Sequence, residues 1–426
     1  MKVFYDNYND CCPSHMRDWT IIKGAIPNFE EVSSMYAADI VIVYLCAMSQ
    51  MHFDYYDNIL GKISALKKAK PCVKTFVGGC AFGLENFDLT IEPYLDSIDY
   101  SFGKPNMAKV VLEALKLNDN TKSAAPYIED NTASIQISSG CRRKCSFCKN
   151  NYLKNDLVSI PREQIFADIE EAVLNQKILH ISLCGENTTE YGIDLYGKAQ
   201  LQGLIRDTLK YFPTIKILDI YGMTLDEMDD NLIEYIMREP RIQRIQVEVQ
   251  SFIQDVREKM KLTTTALHAK QVYETLRQKK DVVSQVIVGH PGETDENFNE
   301  MMEYVFNTKA FSLGVVPLIV TEGTPCANMV CPPSDVVLRR RKRLEKRTET
   351  MRTSWAKNII DSKQPLEGYV YKVDVEKNTS YCRVFGQSAN MLVPGIFELY
   401  STVKAVPTKM KLDWGGVTVR FEARIV

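Results

Sequence analysis

No apolar run in this sequence approaches the roughly 20 residues needed to span a bilayer, so a membrane-embedded chain is not expected. The start, Met1-Lys2-Val3-Phe4-Tyr5-Asp6, also lacks an apolar signal core, and this argues against secretion and for a cytoplasmic location. Neither sign of charge is in excess. With 52 Lys and Arg against 54 Asp and Glu, the formal net charge is −2, which gives no global attraction to nucleic acid. Any RNA contact would need a local basic surface. What is present is an ordinary globular composition, 45% hydrophobic and 25% charged. At 426 residues the chain is long enough for two or three domains.

Cysteine is the exception, with twelve residues. Disulfides are rare in a reducing cytosol, so clustered thiols point first to metal or redox chemistry. Cys72, Cys184 and Cys382 lie within or beside apolar stretches and read as buried small side chains. The group at 141–148 does not, because its spacing and polar company are wrong for a core strand.

Strand and helix patterns alternate along most of the chain, which predicts an α/β fold with largely parallel sheets. In residues 1–117 the candidate strands are 2–7, 40–46 and 73–79, with helices over 55–69 and 107–116. Residues 118–133 are polar, contain Pro126 and read as a linker. From 134 to 334 six strands (134–138, 179–184, 215–221, 242–249, 282–288 and 311–320) alternate with five helices (162–175, 201–211, 229–238, 268–279 and 295–307). That order suits a partial (β/α)6 barrel, whose chemistry would lie at the C-terminal strand ends. Residues 335–366 form a connector helix bearing the run Arg339-Arg340-Arg341-Lys342-Arg343, read as a solvated face. Residues 367–426 are rich in Val, Tyr, Thr and Phe, with turn signals at Pro394-Gly395 and Gly415-Gly416, and predict a small all-β domain. From Gly368 onward five Lys and three Arg face two Asp and three Glu, a mildly basic balance.

The chemistry centres on Ser139-Gly140-Cys141-Arg142-Arg143-Lys144-Cys145-Ser146-Phe147-Cys148. Three thiolates within eight residues can hold a [4Fe–4S] cube by three corners and leave the fourth iron open. An open iron can chelate the amino and carboxylate groups of S-adenosylmethionine (SAM), and electron transfer into the sulfonium then yields a 5′-deoxyadenosyl radical. The neighbouring cations offset thiolate charge, on which a cluster's potential depends. Structural zinc usually takes four protein ligands, and no such complement is evident nearby.

This segment resembles the CxxxCxΦC signature of the radical SAM superfamily, with Phe147 at the aromatic place. By that resemblance Phe147 packs on the adenine. Cys184-Gly185-Glu186-Asn187 looks like the segment that receives the SAM amino group, so Gly185 and Glu186 are cofactor-binding candidates. The stretch from Val286 to Thr294 resembles the region lining the adenine, which adds Val288, Gly289 and Glu293. Glu248 and Gln250 alternate on one strand and are read either as SAM ribose contacts or as a polar strand-end pair. His290 is read as a hydrogen-bonded loop histidine, and Cys326 and Cys331 as unligated loop thiols.

The N-terminal cysteines narrow the resemblance. Cys11-Cys12, Cys46 and Cys80 each follow a strand-like run, and a parallel sheet would bring them to one edge as a second cluster site. The whole chain is then similar to the radical SAM methylthiotransferases, which join a three-cysteine domain, a radical SAM barrel and a TRAM β domain. Cys12 fits the pattern better than Cys11, because Asp18 falls six residues later. The family's Asn in that loop is His15 here. The segment Val249-Gln250-Ser251-Phe252-Ile253 departs from the usual Pro-x-Gln-Ser-Gly-Ser, which bears on the substrate.

The resemblance implies two [4Fe–4S] clusters and two uses of SAM. One SAM methylates sulfur on the auxiliary cluster, and the other generates the radical that opens a C–H bond to become C–S–CH₃. A low-potential donor such as ferredoxin or flavodoxin is required. The cofactors carry this chemistry, while the protein positions the reacting atoms and excludes water. The expected substrate is a hypermodified adenosine of tRNA. The alternatives are a protein or peptide residue, such as a ribosomal-protein aspartate, and, from another class, a non-catalytic iron–sulfur or zinc protein that binds RNA.

Overall fold

Five consecutive apolar side chains from Ile40 to Tyr44 are all buried, as a central parallel strand requires. This strand, β3, anchors the first sheet of the computed structural model. The structure describes residues 1–7, 13–46, 51–83, 91–103, 106–118, 126–149, 156–310, 312–320, 323–413 and 418–426. β1 (Lys2–Asn7), β2 (Glu30–Glu31), β3 (Ile40–Tyr44), β4 (Lys74–Gly78) and β5 (Tyr100–Phe102) pair in the order β2-β1-β3-β4-β5, all parallel. Separate cores cover the two faces of the sheet. The order of the sheet reverses between β1 and β3, and ligands in such sheets bind beyond the carboxyl ends of the strands at that point. Asp18, on the helix Pro13–Ala25, accepts from the backbone N–H of Ala108 at 3.2 Å and so ties that helix to the helix Met107–Leu115.

The second sheet holds seven strands in the order β14-β13-β12-β11-β10-β7-β6. They are β6 (Tyr127–Glu129), β7 (Thr132–Gln136), β10 (His180–Cys184), β11 (Ile217–Thr224), β12 (Ile242–Glu248), β13 (Asp281–Val288) and β14 (Leu313–Pro317). β7 and β10 to β14 run parallel, which makes the six-stranded open barrel expected from the alternation. The short pair β8 (Ser138–Ser139) and β9 (Val158–Ser159) flanks the cysteine loop. The stretch expected as a linker is corrected here. Within 118–133, β6 folds back on β7 as an antiparallel hairpin at the barrel edge. Its Asp130-Asn131 turn takes positive φ at both residues, a turn geometry that Asn and Asp tolerate.

The helix Ser334–Ser362 runs along the barrel. It is only partly a solvated face, since Arg340 and Arg352 are 6% and 3% exposed. It leads into a closed barrel of β15 (Leu366–Asp374), β16 (Thr379–Val384), β17 (Ala389–Pro394), β18 (Thr402–Asp413) and β19 (Thr418–Ile425). Gly395 turns there with φ +100°, while Gly415-Gly416 lies outside the described residues. This small barrel docks on the N-terminal ends of the large barrel's strands. Arg383 reaches Asp219, the Ser388 hydroxyl donates to Asp281, and the Tyr400 hydroxyl donates to the carbonyl of Asn131 at 2.8 Å. Cys184 and Cys382 are buried as expected. Cys72 is exposed, because it sits in the turn that precedes buried Val73.

Candidate active site

β7 and β10 deliver Ser138 to Cys148 and Cys184 to Glu190 to the C-terminal rim of the barrel, and backbone N–H groups lock the two loops together. Gly140 donates to Glu186 Oε2 and Arg142 to Glu190 Oε2, both at 3.0 Å. Burial raises the pKa of Glu190, and the Arg142 N–H and cation oppose that shift. Both carboxylates therefore shape the cysteine loop. Glu186, expected at the SAM amino group, spends at least one oxygen on this task.

Cys145 is buried, and Cys141 and Cys148 are partly exposed. Burial pushes the Cys145 thiol up to about 12. Arg143 pulls it down, while Cys148, Cys141 and Asp226 raise it further. The three sulfurs thus lie within electrostatic reach of one another. Burial also raises Cys141, whose sulfur receives the Asn187 side-chain N–H at 3.6 Å. Metal binding needs thiolates, and the cation beside them favours that form. Arg143 is held in place by Asp226 at 2.5 Å. Among the described residues no three His, Cys, Asp or Glu side chains converge as a single ion requires. A cube takes each thiolate at a different iron corner, so its ligands are spaced more widely.

Ser138 Oγ, Gln250 Oε1, Arg143 Nε and Asp226 Oδ1 are buried without a hydrogen-bond partner among the described residues. The space beside Ser138 is tight, since a Cβ on Gly185 would lie 2.7 Å from Ser138 Oγ. Gln250 sits at φ +64° and donates through Nε2 to Glu248 at 2.9 Å. Gln246 and Gln285 also donate to Glu248, each at 2.6 Å. Burial raises the Glu248 carboxyl, and the three amides oppose that shift. A cluster trio with spare polar atoms beside it fits a [4Fe–4S] centre and a polar cofactor.

At the end of β13, Gly289 takes φ +83°, and a Cβ there would meet Val337 at 2.5 Å. Glu293 accepts from the Gly289 N–H and pairs with Arg340, both at 2.8 Å, so it clamps this loop to the long helix. Val288 is buried beside it. Phe147 stands edge-on to His290, with ring centroids 6.4 Å apart. His290 is buried and bonds Ser146 Oγ at 2.9 Å, with Cys326 Sγ at 3.4 Å. Burial lowers its pKa to about 4.

The first domain supplies the second thiol group. Cys46 and Cys80 follow β3 and β4 and are both buried. The Tyr44 hydroxyl lies 3.3 Å from Cys80. Burial raises the Tyr56 pKa, and both thiols raise it further, so both lie within electrostatic reach of that hydroxyl. Cys11 and Cys12 lie outside the described residues. His15, just after them in the chain, bonds the Tyr5 hydroxyl through Nδ1 at 2.9 Å. Lys149, next to Cys148, is lowered by burial and raised by Cys46. Lys149 therefore lies within electrostatic reach of Cys46 in the first domain. Arg17 and Asp168 form a buried ion pair across the domain boundary.

Comparison with known proteins finds a matching domain and similar chains. The radical SAM superfamily model matches residues 135–305. The ribosomal protein uS12 methylthiotransferase RimO of Thermosipho africanus is 25% identical over 407 residues, covering 91% of this chain and 92% of that one. RimO of Anaeromyxobacter sp. is 26% identical over 350 residues, covering 78% and 74%. Residues 135–305 match the radical SAM domain, and most of the chain is similar to radical SAM methylthiotransferases. Among solved structures, the radical SAM methyltransferase TsrM from Kitasatospora setae superposes with TM-score 0.57 at 12% identity, covering 76% of each chain. At that identity the likeness concerns the fold alone.

The residues that sequence patterns left unmarked are those acting on the thiols from outside their motif. Asp226 and Lys149 belong to this group. Asn187 stood in a marked segment but was not assigned to a sulfur. Their only sequence signal is adjacency to the motif or to a strand end.

Proposed function

We propose that this chain converts a C–H bond to C–S–CH₃ on a protein or peptide residue, with a ribosomal-protein aspartate as the model substrate. The observation that carries this reading is the set of relatives, matched over 74–92% of their own length, whose names specify ribosomal protein uS12. When bound, the two clusters and SAM supply the radical and the sulfur. The chain's own residues hold the cysteine loop through Glu186 and Glu190, set Arg143 beside the thiols, and close the barrel floor with the small β domain.

The surface also supports a protein substrate over tRNA, the first expectation. In the basic run Arg340 is committed to Glu293 and Asp295, Arg339 pairs with Asp335, and Arg341 pairs with Glu345. Paired cations bring little of the net positive field on which nucleic-acid affinity depends. The small β domain lies at the strand ends opposite the thiols. No helix among the described residues is long and apolar enough to cross a membrane.

The test is anaerobic reconstitution with iron, sulfide, SAM and a reduced flavodoxin-class donor, in parallel with uS12 and with bulk tRNA. Mass spectrometry should find a methylthio group replacing hydrogen on the protein. Methylthio nucleosides in the tRNA digest, with unmodified uS12, would overturn the reading.

A further inference from the structure

Asn187 is fully buried, with its side chain fixed at both ends. Its Oδ1 accepts from the Thr189 hydroxyl at 2.7 Å and from the Thr224 hydroxyl at 3.0 Å. The two hydroxyls lie 2.9 Å apart, and the Thr224 backbone N–H donates to Thr189 Oγ1 at 3.2 Å. With the carbonyl oxygen occupied as an acceptor, the amide NH₂ is the end left for Cys141 Sγ, 3.6 Å away. Sulfur's larger radius makes this an N–H···S contact. The resemblance directs the segment 184–187 toward SAM, yet this side chain points at a thiol.

We propose that Asn187 is a positioning residue that donates to the Cys141 sulfur and thereby raises the reduction potential of the cluster bound there. The inference rests on Cys141 being a cluster ligand, as read above. A donor of the ferredoxin or flavodoxin class supplies one electron. That electron passes to the sulfonium, whose C–S bond breaks to give methionine and a carbon radical. In the reduced state the extra negative charge is shared with the ligand sulfurs. A hydrogen bond to sulfur therefore stabilises that state more than the oxidised one, and such bonds are among the factors that set cluster potentials. Thr189 and Thr224 matter because a swinging amide could present either end. Held by two hydroxyls in a site closed to water, the N–H keeps its direction.

The experiment is a redox titration of the full-length protein with both clusters reconstituted, followed by electron paramagnetic resonance. SAM identifies the barrel cluster, since only the centre it coordinates changes its spectrum. Asn187→Leu should make one-electron reduction of that centre about tenfold less favourable, a shift of about 59 mV to lower potential. The double variant Thr189→Val/Thr224→Val, which keeps the amide but frees it, should shift the potential the same way by less. Unchanged potentials in fully loaded Asn187→Leu would overturn the proposal. If that variant fails to load iron, an unchanged potential in the double threonine variant overturns it instead. Cys141→Ala separates the two levels of the argument. A SAM-responsive signal that survives this substitution removes the ligand assignment itself, whatever Asn187 does.

Discussion

The guanidinium of Arg383, carried by the small C-terminal barrel, lies 2.9 Å from the Asp219 carboxylate beneath the floor of the large one. Asp219 is completely buried. It also bonds His180 Nε2 at 2.8 Å and accepts the Arg244 backbone N–H at 3.0 Å. Arg244 in turn pairs with Asp281 at 2.6 Å, and Asp281 accepts from the Ser388 hydroxyl. The two domains therefore share one buried charge network. Removing one member of such a network leaves an uncompensated charge inside the protein.

Arg383→Leu is accordingly expected to destabilise the chain by about 3–5 kcal/mol. Urea denaturation followed by circular dichroism measures this. Lys377→Ala is the surface control. That lysine is exposed and pairs with neighbouring Asp374, so its loss should leave the urea midpoint essentially unchanged.

Two buried groups give stability a dependence on pH in separate windows. Burial opposes charge on Asp219, but His180 and the arginines outweigh it and hold the carboxyl at about 2. A depressed carboxyl stabilises the fold fully above its unfolded value, near about 3.9, and that contribution is lost as the pH falls toward 2. His290 is lowered by burial to about 4 from its ordinary 6.5. The unfolded state therefore takes up its proton first, and stability should fall between pH 6.5 and pH 4 while staying level above. His290→Gln should flatten that second window and leave the first in place. Urea midpoints collected across the pH range read both effects.

Gly222→Ala and Gly61→Ala should move stability in opposite directions. Gly222 takes φ +74°, and its Cβ would lie 2.0 Å from the carbonyl oxygen of Gly185. Strain at positive φ costs about 1–3 kcal/mol, and the clash adds to it while pressing on the segment that carries Asn187. Lower melting temperature and reduced iron loading are expected together. Gly61 lies in the helix Met51–Ala69 with nothing within 4 Å of a new Cβ, so alanine there should stabilise by about 0.5–1 kcal/mol.

The two cysteine groups should separate by function. Cys145→Ala should abolish SAM-dependent 5′-deoxyadenosine under dithionite. Cys46→Ala/Cys80→Ala should retain that product, lose about half of the bound iron and form no methylthio product. Iron assay and product chromatography check this, and equal loss of 5′-deoxyadenosine in both variants would remove the assignment of separate sites.

Much of this architecture was legible in local pattern. The apolar run at 40–44, the strands at 180–184 and 242–248 and the helices at 201–211 and 295–307 fall where hydrophobic spacing puts them, because a side chain's periodic burial is written along the chain itself. The trio Cys141, Cys145 and Cys148 is legible for the same reason, being local in sequence. Only the edge strand of the hairpin, 127–129, and the turn after it fell in the stretch read as linker, because burial on that edge is slight and periodicity weak.

What the sequence determined alone is therefore the order of the elements and the thiols at their ends. Tertiary structure decided the rest: that Glu186 and Glu190 hold backbone, that Glu293 clamps onto Arg340, that the last domain plugs the floor of the barrel, and that Asn187 turns its N–H to a sulfur. Each of these joins residues dozens to more than a hundred positions apart in the chain. A carboxylate or amide has the same letter whether it meets water, a backbone N–H or a thiol, and only the folded neighbours select among them.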